Sequence, residues 1–322
     1  MNKRIFYLMI AIAAIMTSCY DDYIEDFNYT SVYFPYQTDV RTFVVGEGMT
    51  INVGVTLGGT ISNSKDRLLE FTFDNSLITP ALLTSMKSTG LDYVKSALTG
   101  VTTLNQLPVN YYTLSNNSQI VIKSGQNSGS VTVKVDSALF LSDPLTLNAA
   151  YALPFSIASA DADSILPNKR TAVIGVKYEN MLFGNYWHGG VTRIVRPNKA
   201  DSTVKYITTI PSPESKIWKL TTIAPNALVL TGYSDKTSSG MMLTLNGGAI
   251  AVTPKTGATV SITAEGESVF NQAKLLQNRK IYLNYQYSDA AGNVYHAQDT
   301  LTFRNRIRDG VNEWQDENAS HY

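Results

Sequence analysis

The sequence predicts an all-β protein built as two domains, a β-sandwich followed by an antiparallel β-barrel. The chain has 322 residues, which is enough for two domains of ordinary size. Strand-favouring residues are abundant, with 19 tyrosines, whereas charged residues make up only 16% of the chain. Short segments of alternating apolar and polar residues recur along the sequence, and turns rich in Gly, Asn and Asp separate them.

Residues 1–18 are predicted to be a signal peptide. The charged residues Lys3 and Arg4 precede an apolar run, Ile5–Met16, that has the length of a signal-peptide core. The run Met16-Thr17-Ser18-Cys19 then resembles a bacterial lipobox, although the family prefers Leu where Met16 stands. The resemblance implies cleavage before Cys19 and a lipid anchor on this residue, which makes a membrane leaflet its partner. An ordinary signal peptide with an incidental cysteine is the alternative.

Residues 19–30 are predicted to be an acidic tether. Four acids lie within seven residues, Tyr20–Asp26. This run resembles the export signal of surface-exposed Bacteroidetes lipoproteins, which implies a lipid-anchored protein on the outer face of the outer membrane. A solvated acidic linker is the alternative, and the sequence leaves the choice between the inner and outer faces open.

Residues 31–178 are predicted to form a sandwich of the immunoglobulin type, because seven or eight short strands follow one another between turns. The strand Thr50–Leu57 is typical, since every second residue is apolar. Its predicted buried face consists of Ile51, Val53, Val55 and Leu57. Between Ser76 and Leu107 the spacing becomes helical, starting at Pro80. This insertion is either a crossover of the sandwich or a loop that faces a ligand.

Residues 179–307 are predicted to form an up-and-down barrel of about eight strands, followed by a polar tail, residues 308–322. Two hairpins are well signalled, by Asn246-Gly247-Gly248 and by the turn Asp289–Asn293. A barrel closes its own strand edges, which suits a run of strands joined by short turns. The joint between the domains, Glu179–Phe183, contains no Gly or Pro and three apolar residues. We therefore expect a packed interface and a fixed angle between the domains.

Several segments together resemble a known module, the immunoglobulin-like N-terminal domain of unknown function of Bacteroidetes surface lipoproteins. The segments are Ser31–Phe34, Leu107-Pro108, Tyr111–Leu114, Gly125 with Val131–Val133, and the Tyr-x-Leu-Pro strand Tyr151–Ala160. The second half resembles the C-terminal domain paired with this module, which implies a lipocalin-like or streptavidin-like barrel. Gly184 and Trp187 are similar to the lipocalin opening Gly-x-Trp, with the tryptophan one residue late. Such proteins are often encoded beside glycan-utilisation machinery and sometimes precede glycoside hydrolase domains.

Composition and motifs argue against several function classes. The formal net charge is zero, whereas a nucleic-acid binder needs a basic surface. Three His and one Cys provide few ligands for a transition metal, so we expect neither a metal site nor a cofactor. The sequence contains no nucleophile elbow, phosphate-binding loop or dinucleotide fingerprint, and most acids fall in predicted turns or the tether. We therefore predict a protein that is not an enzyme.

Aromatic residues are the candidates for ligand binding, because sugars stack on Trp and Tyr while amides and Arg bond their hydroxyls. The candidates are Tyr186, Trp187, His188, Trp218, Tyr233 and Trp314. Core packing is the alternative for each, since strands select aromatic residues, except for Trp314 in the polar tail. The run Arg304-Asn305-Arg306 could place a guanidinium over an aromatic ring.

The function predicted from the sequence is that of a cell-surface lipoprotein that captures glycan without catalysis, or that belongs to a glycan-uptake complex of the outer membrane. A structural or adhesion subunit that binds a protein partner is the alternative. Less favoured hypotheses are an accessory protein of a glycoside hydrolase and, if the barrel interior is apolar, a carrier of a small hydrophobic ligand.

Overall fold

The structure is a computed structural model that describes residues 29–206, 216–231, 240–258 and 260–316. The predicted signal peptide, Cys19 and Tyr233 lie outside the described residues. Strands dominate, and helices are few and short. The all-β prediction is therefore confirmed at the level of secondary structure.

The first half of the chain contains two sheets that share one core, and we call it the sandwich. The first sheet has the strand order β10-β1-β3-β8-β6, and the second has β2-β11-β9-β4-β7 with β5 beside β9. The strands are β1 (Ser31–Tyr33), β2 (Thr38–Val45), β3 (Thr50–Gly58), β4 (Arg67–Phe73), β5 (Asn105–Gln106), β6 (Tyr112–Leu114), β7 (Gln119–Ile122), β8 (Ser128–Val135), β9 (Tyr151–Ala160), β10 (Ser164–Ile165) and β11 (Thr171–Asn180). The predicted inward face of β3 is buried at all four positions, against residues such as Phe155 of the second sheet.

The predicted helical insertion forms two short helices, α1 (Pro80–Lys87) and α2 (Asp92–Ala97), and a third, α3 (Ser137–Ser142), follows β8. Helix α1 begins as the sequence indicates, because the Thr79 hydroxyl accepts the N–H of Leu82 and Pro80 is the first helical residue. Helices α1 and α2 pack on the outer face of the second sheet through apolar residues such as Met86 and Val94. This sheet is therefore covered on both faces, which explains the nearly continuous burial along β9 and β11.

The second half of the chain forms one sheet whose pairings run in a ring, and we call it the closed sheet. Eight strands form the ring β12-β14-β15-β16-β17-β19-β20-β21, and β21 pairs back with β12. Every pair in the ring is antiparallel. The strands are β12 (Gly184–Arg196), β13 (Lys199–Tyr206), β14 (Lys216–Ala224), β15 (Ala227–Thr231), β16 (Met241–Asn246), β17 (Ala249–Pro254), β18 (Ile262–Ala264), β19 (Val269–Phe270), β20 (Lys280–Ser288), β21 (Val294–Arg308) and β22 (Val311–Glu313).

The end of the closed sheet differs from the prediction of a polar tail from residue 308. Strand β21 continues to Arg308, and β22 pairs back on it with Arg306 opposite Glu313. The turn is made by Asp309 and Gly310, which have φ of 53° and 80°. An Asp-Gly pair favours this backbone conformation, so the hairpin has a local sequence signal.

The junction between the two halves is packed, because Leu182 and Phe183 are both buried. Leu182 belongs to the same apolar cluster as Trp218 of the closed sheet and Val44 of the sandwich. At the end of β11, the Asn180 N–H donates to the Thr222 hydroxyl over 3.0 Å, and its side-chain amide donates to the Pro225 carbonyl over 2.7 Å. Apolar and polar contacts thus join the sandwich to the closed sheet on either side of this short joint.

Candidate functional site

One side of the junction is sealed by a buried cluster of charges, which we call the junction cluster: Glu47, Arg279, Arg306 and Glu313. Glu47 lies in the turn between β2 and β3 of the sandwich, and both arginines come from the closed sheet. Arg306 binds both carboxylate oxygens of Glu47, over 2.8 and 2.7 Å, and Arg279 donates to Oε1 over 2.8 Å. Arg306 also donates to Glu313 and lies over the Phe183 ring at 5.1 Å. A bidentate guanidinium–carboxylate pair fixes the relative orientation of the two groups as well as pairing their charges.

The charges of the junction cluster stabilise one another. Burial raises the pKa of Glu47, but the hydrogen bonds and charges of Arg306 and Arg279 outweigh burial and hold it below its usual value. Arg279 also donates to the carbonyls of Met181 and Lys274, over 2.6 and 2.8 Å. Because Met181 belongs to the joint itself, one guanidinium connects the joint, the sandwich and the closed sheet.

The other side of the junction is open, and it forms a cleft of about 510 Å³. The sandwich lines it with α2 and parts of β2 and β11, whereas the closed sheet contributes β12, β14 and the β21–β22 hairpin. Its lining combines rings and apolar groups with polar side chains such as Asn148, Asn185, Lys219 and Thr221. Clefts between domains with a few convergent polar groups are common ligand sites.

The hairpin turn closes one end of the cleft against α2. The Thr42 N–H donates to Asp309 Oδ2 over 3.3 Å, while Oδ1 is buried and has no hydrogen-bond partner. Burial raises the pKa of Asp309 to about 6, although the Thr42 hydrogen bond and the charge of Arg41 act in the opposite direction. Beside it, the Tyr93 hydroxyl donates to Asp39 Oδ1 over 2.6 Å, and burial together with Asp39 raises the pKa of Tyr93. An acidic and a phenolic group thus line the closed end of the cleft.

Asn185 lines the cleft and also belongs to a second group of side chains, on the outer surface of the closed sheet. We call it the amide face, and it consists of Asn185, Trp187, Arg304, Asn305 and Asn312. The side-chain amide of Asn185 donates to Asn305 Oδ1 over 3.2 Å, and that of Asn305 donates to Asn312 Oδ1 over 2.6 Å. Arg304 donates to the same Asn305 oxygen and lies over the Trp187 ring at 5.0 Å. Three amides therefore form a line across β12, β21 and β22, with an indole and a guanidinium beside them.

A bulge explains why both Arg304 and Asn305 belong to the amide face. The register of β12 with β21 shifts between Asn185 and Tyr186, so that Asn185 is opposite Asn305 while Tyr186 is opposite Phe303. An extra residue on one strand re-aims its side chains and bends the strand. The predicted contact of a guanidinium with an aromatic ring is found here, and a second one is found between Arg306 and Phe183.

The predicted ligand-binding aromatic residues of β12 and β14 lie on different faces of the closed sheet, one on the outer face and three on the inner face. Trp187 is partly exposed on the outer face, whereas Tyr186, His188 and Trp218 point into the closed sheet and are buried. The Tyr186 hydroxyl donates to the Leu182 carbonyl over 3.0 Å. The inward residues thus belong to the core, because strand alternation places every second side chain of β12 and β14 inside. They do not offer a ring to a glycan at the surface.

His188 belongs to a buried polar network. Its Nε2 lies 2.9 Å from Asp299 Oδ1, and the Tyr285 hydroxyl donates to Asp299 Oδ2 over 2.7 Å. The His188 ring stacks on Trp218 with centroids 4.0 Å apart and an angle of 6°. Sequence reasoning missed Asp299 and Tyr285, which lie 111 and 97 residues from His188. The alternation of β21 was the signal that could have placed Asp299 inside.

Trp314 is 57% exposed just after β22, which agrees with its selection as a surface candidate. Tyr233 lies outside the described residues. Within the described ranges, no group of three His, Cys, Asp or Glu residues could hold a metal ion. No helix in those ranges is both long and apolar enough to cross a membrane.

Comparisons with known proteins agree with this architecture. A family model described as "-like, N-terminal domain" matches residues 27–164, which covers most of the sandwich. No curated protein matches the chain. A structural-genomics protein of unknown function from Bacteroides ovatus is similar to 90% of this chain over 99% of its own, with 19% identity and a TM-score of 0.62. This likeness shows a shared fold across both halves.

Two further Bacteroides ovatus structures are similar at a lower level. A multidomain protein including DUF1735 covers 89% of this chain and 100% of its own, with 12% identity and a TM-score of 0.43. Another protein of unknown function covers 90% of this chain and 100% of its own, with 12% identity and a TM-score of 0.40.

Proposed function

We propose that this protein is a lipoprotein of the outer membrane, exposed at the cell surface, that binds glycan without catalysis for a glycan-uptake complex. The binding site in this proposal is the cleft together with the amide face. Sugar rings present flat C–H faces to aromatic rings and hydroxyls to amides. Trp187 and the three aligned asparagines provide these two kinds of contact side by side.

The observation that carries the proposal is the position of Asn185, which belongs both to the cleft lining and to the amide face. A ligand chain that lies in the cleft meets the amides and Trp187 where it leaves the cleft. Binding residues held on strands keep their geometry better than residues on loops. The junction cluster fixes the two halves that form the cleft walls, so the site needs little ordering when a ligand binds.

In this proposal the sandwich is an immunoglobulin-like domain, and the closed sheet is a lipocalin-like or streptavidin-like barrel. Two sheets around one core support the first assignment. A ring of eight antiparallel strands supports the second. Large side chains such as Trp218, Tyr186 and Tyr285 fill part of the interior, which favours an outer site over a hydrophobic-ligand carrier.

Affinity electrophoresis and titration calorimetry on a panel of polysaccharides test the proposal with the mature protein. We expect at least one polymer to bind, and Trp187→Ala to weaken that binding about tenfold, because it removes a stacking surface. Tyr36→Ala is the matched control, since Tyr36 is 53% exposed but lies on the sandwich away from the cleft lining. Uniform failure of the panel to bind would contradict the proposal.

A protein partner is the second candidate, and exposed apolar groups near the hairpin favour it. Ile307, Val311 and Trp314 are 60%, 58% and 57% exposed. An adhesion or structural subunit would use this end of the molecule without any glycan. In that case Val311→Asp should abolish a specific cross-link to a partner on intact cells, while polysaccharide panels stay negative.

The anchor on Cys19 is tested separately. We expect a clickable palmitate analogue to label the wild-type protein in cells and not Cys19→Ser. Protease added to intact cells should remove the protein if it faces outward. Protection from protease would place it on the inner face of the membrane and would leave the anchor itself unaffected.

A further inference from the structure

The cations around the cleft and the amide face differ in whether they have a carboxylate partner. Most of them do. The pairs are Lys177 with Glu179 at 2.6 Å, Lys95 with Asp92 at 2.8 Å, Arg41 with Asp39 at 2.9 Å, and Arg308 with Glu313 at 2.5 Å. Asp309 is half-buried and lies within the fields of Arg41 and Arg308, which both lower its pKa against the effect of burial.

Two cations of this surface have no ion-pair partner in the part of the chain that the structure describes. Lys219 is exposed in the cleft lining, and Arg304 is exposed on the amide face, where it donates to the Asn305 amide oxygen and lies over the Trp187 ring. A carboxylate partner is the usual arrangement for cations near this junction. Its absence at these two positions, next to a candidate ligand site, leaves both charges available to a ligand.

The strand register places the two cations on either side of Asn185. Lys219 of β14 is directly opposite Asn185 of β12, and on the other side Asn185 is opposite Asn305, the neighbour of Arg304. Adjacent strands are about 4.8 Å apart, so the backbones of Lys219 and Arg304 are roughly 10 Å apart. This separation is comparable with the length of two sugar units, and an amide lies between the charges to bond hydroxyls.

We propose that the ligand is an acidic glycan, whose carboxylate or sulfate groups bind Lys219 and Arg304. This inference rests on the proposed function and names the ligand class of the same site. A guanidinium bonds planar anions through two parallel N–H groups, and an ammonium acts as a compact charge. Two isolated cations suit a polymer with spaced anionic groups. They are too few for the dense phosphates of a nucleic acid, for which the net charge of zero is also unsuited.

Calorimetry with four polymers tests the inference on the mature protein. Polygalacturonic acid is compared with its carboxyl-reduced form, and chondroitin sulfate with its desulfated form. We expect one acidic polymer to bind and its modified form to bind at least tenfold more weakly, with affinity falling as salt is added. The responsive pair identifies carboxylate or sulfate as the recognised group.

Variants test whether the two named cations are responsible. Lys219→Ala and Arg304→Ala should each weaken binding of the acidic polymer about tenfold, and the double variant should weaken it further. Lys134→Ala is the matched control, because Lys134 is exposed on β8 of the sandwich and outside the cleft. Control binding should equal that of the wild type.

Two results would overturn the inference, and they have different consequences. If the neutral, carboxyl-reduced polymer binds as well as the acidic ones, and both cation variants bind normally, the acidic ligand class is wrong while the glycan-binding function stands. If no polymer of any class binds, the proposed function fails and the inference fails with it.

Discussion

The two sides of the junction use charge in opposite ways. On the sealed side, Glu47 bonds two guanidinium groups that are almost completely buried. On the open side, Lys219 and Arg304 are exposed and Asp309 keeps a carboxylate oxygen without a partner. A buried charge needs a partner because its desolvation is costly, whereas an exposed charge is stabilised by water until a ligand replaces that water. The difference indicates that the sealed side sets the geometry of the junction and the open side is available for binding.

Removing Glu47 should have the largest effect on stability, because it destroys the ion pairs of the sealed side. Glu47→Ala leaves Arg279 and Arg306 buried without the carboxylate that both bond, and we expect a loss of about 3–5 kcal/mol in the free energy of unfolding. Urea unfolding measures the change, with tryptophan fluorescence reporting on the closed-sheet half, which holds all three tryptophans, and circular dichroism reporting on the whole molecule. The expected result includes a separate, earlier transition of the closed sheet, since the variant loosens the seal between the halves.

Glu265→Ala is the control for the junction cluster. Glu265 pairs with His296 on an exposed surface, and removal of such a pair changes stability by less than about 0.5 kcal/mol. Equal losses in the two variants would mean that the buried cluster does not hold the junction.

The pH dependence of stability gives a second check on Glu47. Because the folded pKa of Glu47 lies below its ordinary value of 4.5, its contribution to stability is complete at neutral pH and is lost as pH falls from 4.5 through the folded pKa.

A substitution in the turn between β21 and β22 should reduce stability less than the loss of Glu47 does. Gly310 has φ of 80°, and a Cβ at this position would lie 2.8 Å from Cε1 of Tyr93. Gly310→Ala should therefore cost about 1–3 kcal/mol, from backbone strain and from displacement of the Tyr93 ring. Gly247→Ala is a matched control, because Gly247 has φ of 60° and open space around its Cβ. A larger loss of stability for Gly310→Ala than for Gly247→Ala measures the contribution of the contact with Tyr93 that closes the cleft. Equal losses would show that this contact contributes nothing.

Replacing Asp309 should stabilise the protein. Its folded pKa of about 6 lies above the ordinary value of 3.8, so folding favours the protonated form and ionisation at neutral pH is unfavourable. Asp309→Asn removes this penalty and keeps an acceptor for the Thr42 N–H. We expect a gain of about 1–2 kcal/mol above pH 6, reduced from the full linkage value by partial exposure. The gain should disappear as pH falls from about 6 to 4, because wild-type Asp309 is then protonated in the folded state.

Asp66→Asn gives the opposite sign and so serves as the control. The pKa of Asp66 is lowered by its hydrogen bonds from Lys123 and from the Ser124 N–H. Its removal should decrease stability at neutral pH, and this decrease should persist down to about pH 4, because the contribution of Asp66 is lost only as pH falls below 3.8. Chemical denaturation repeated from pH 4 to pH 8 measures both variants. A constant effect of Asp309→Asn across this range would contradict the raised pKa.

The sequence predicts the local features of this molecule well. Alternation in Thr50–Leu57 correctly identifies the buried face of β3, and the Thr79-Pro80 pair correctly marks the start of α1. These features depend on neighbouring residues, which a sequence displays directly. The Asp309-Gly310 turn was equally local and could have been found. The polar residues around it favour a tail instead, and they outweigh this two-residue signal in the prediction.

Features made by distant residues could not be predicted. Glu47 is 232 residues from Arg279 and 259 from Arg306, and no local pattern relates them. The parallel pairing of β2 with β11 depends on topology in the same way. Adjacent aromatic residues of β12 show the same limit. Trp187 and His188 are neighbours in sequence, and which of them reaches the surface depends on which face of β12 the rest of the closed sheet covers.

Blocking the cleft should have the smallest effect on stability and a large effect on binding. Ser96 is exposed on α2 and lines the cleft, so Ser96→Trp fills the open side without touching the junction cluster. Substitutions at exposed positions change stability by about 0.5 kcal/mol or less. Ser85→Trp is the matched control, because Ser85 is exposed on the neighbouring helix α1 outside the cleft lining. We expect Ser96→Trp to abolish polysaccharide binding in calorimetry and Ser85→Trp to retain it. If both variants bind normally, the ligand does not enter the cleft. The amide face alone would then be the binding surface, and the two sides of the junction would differ in stability only.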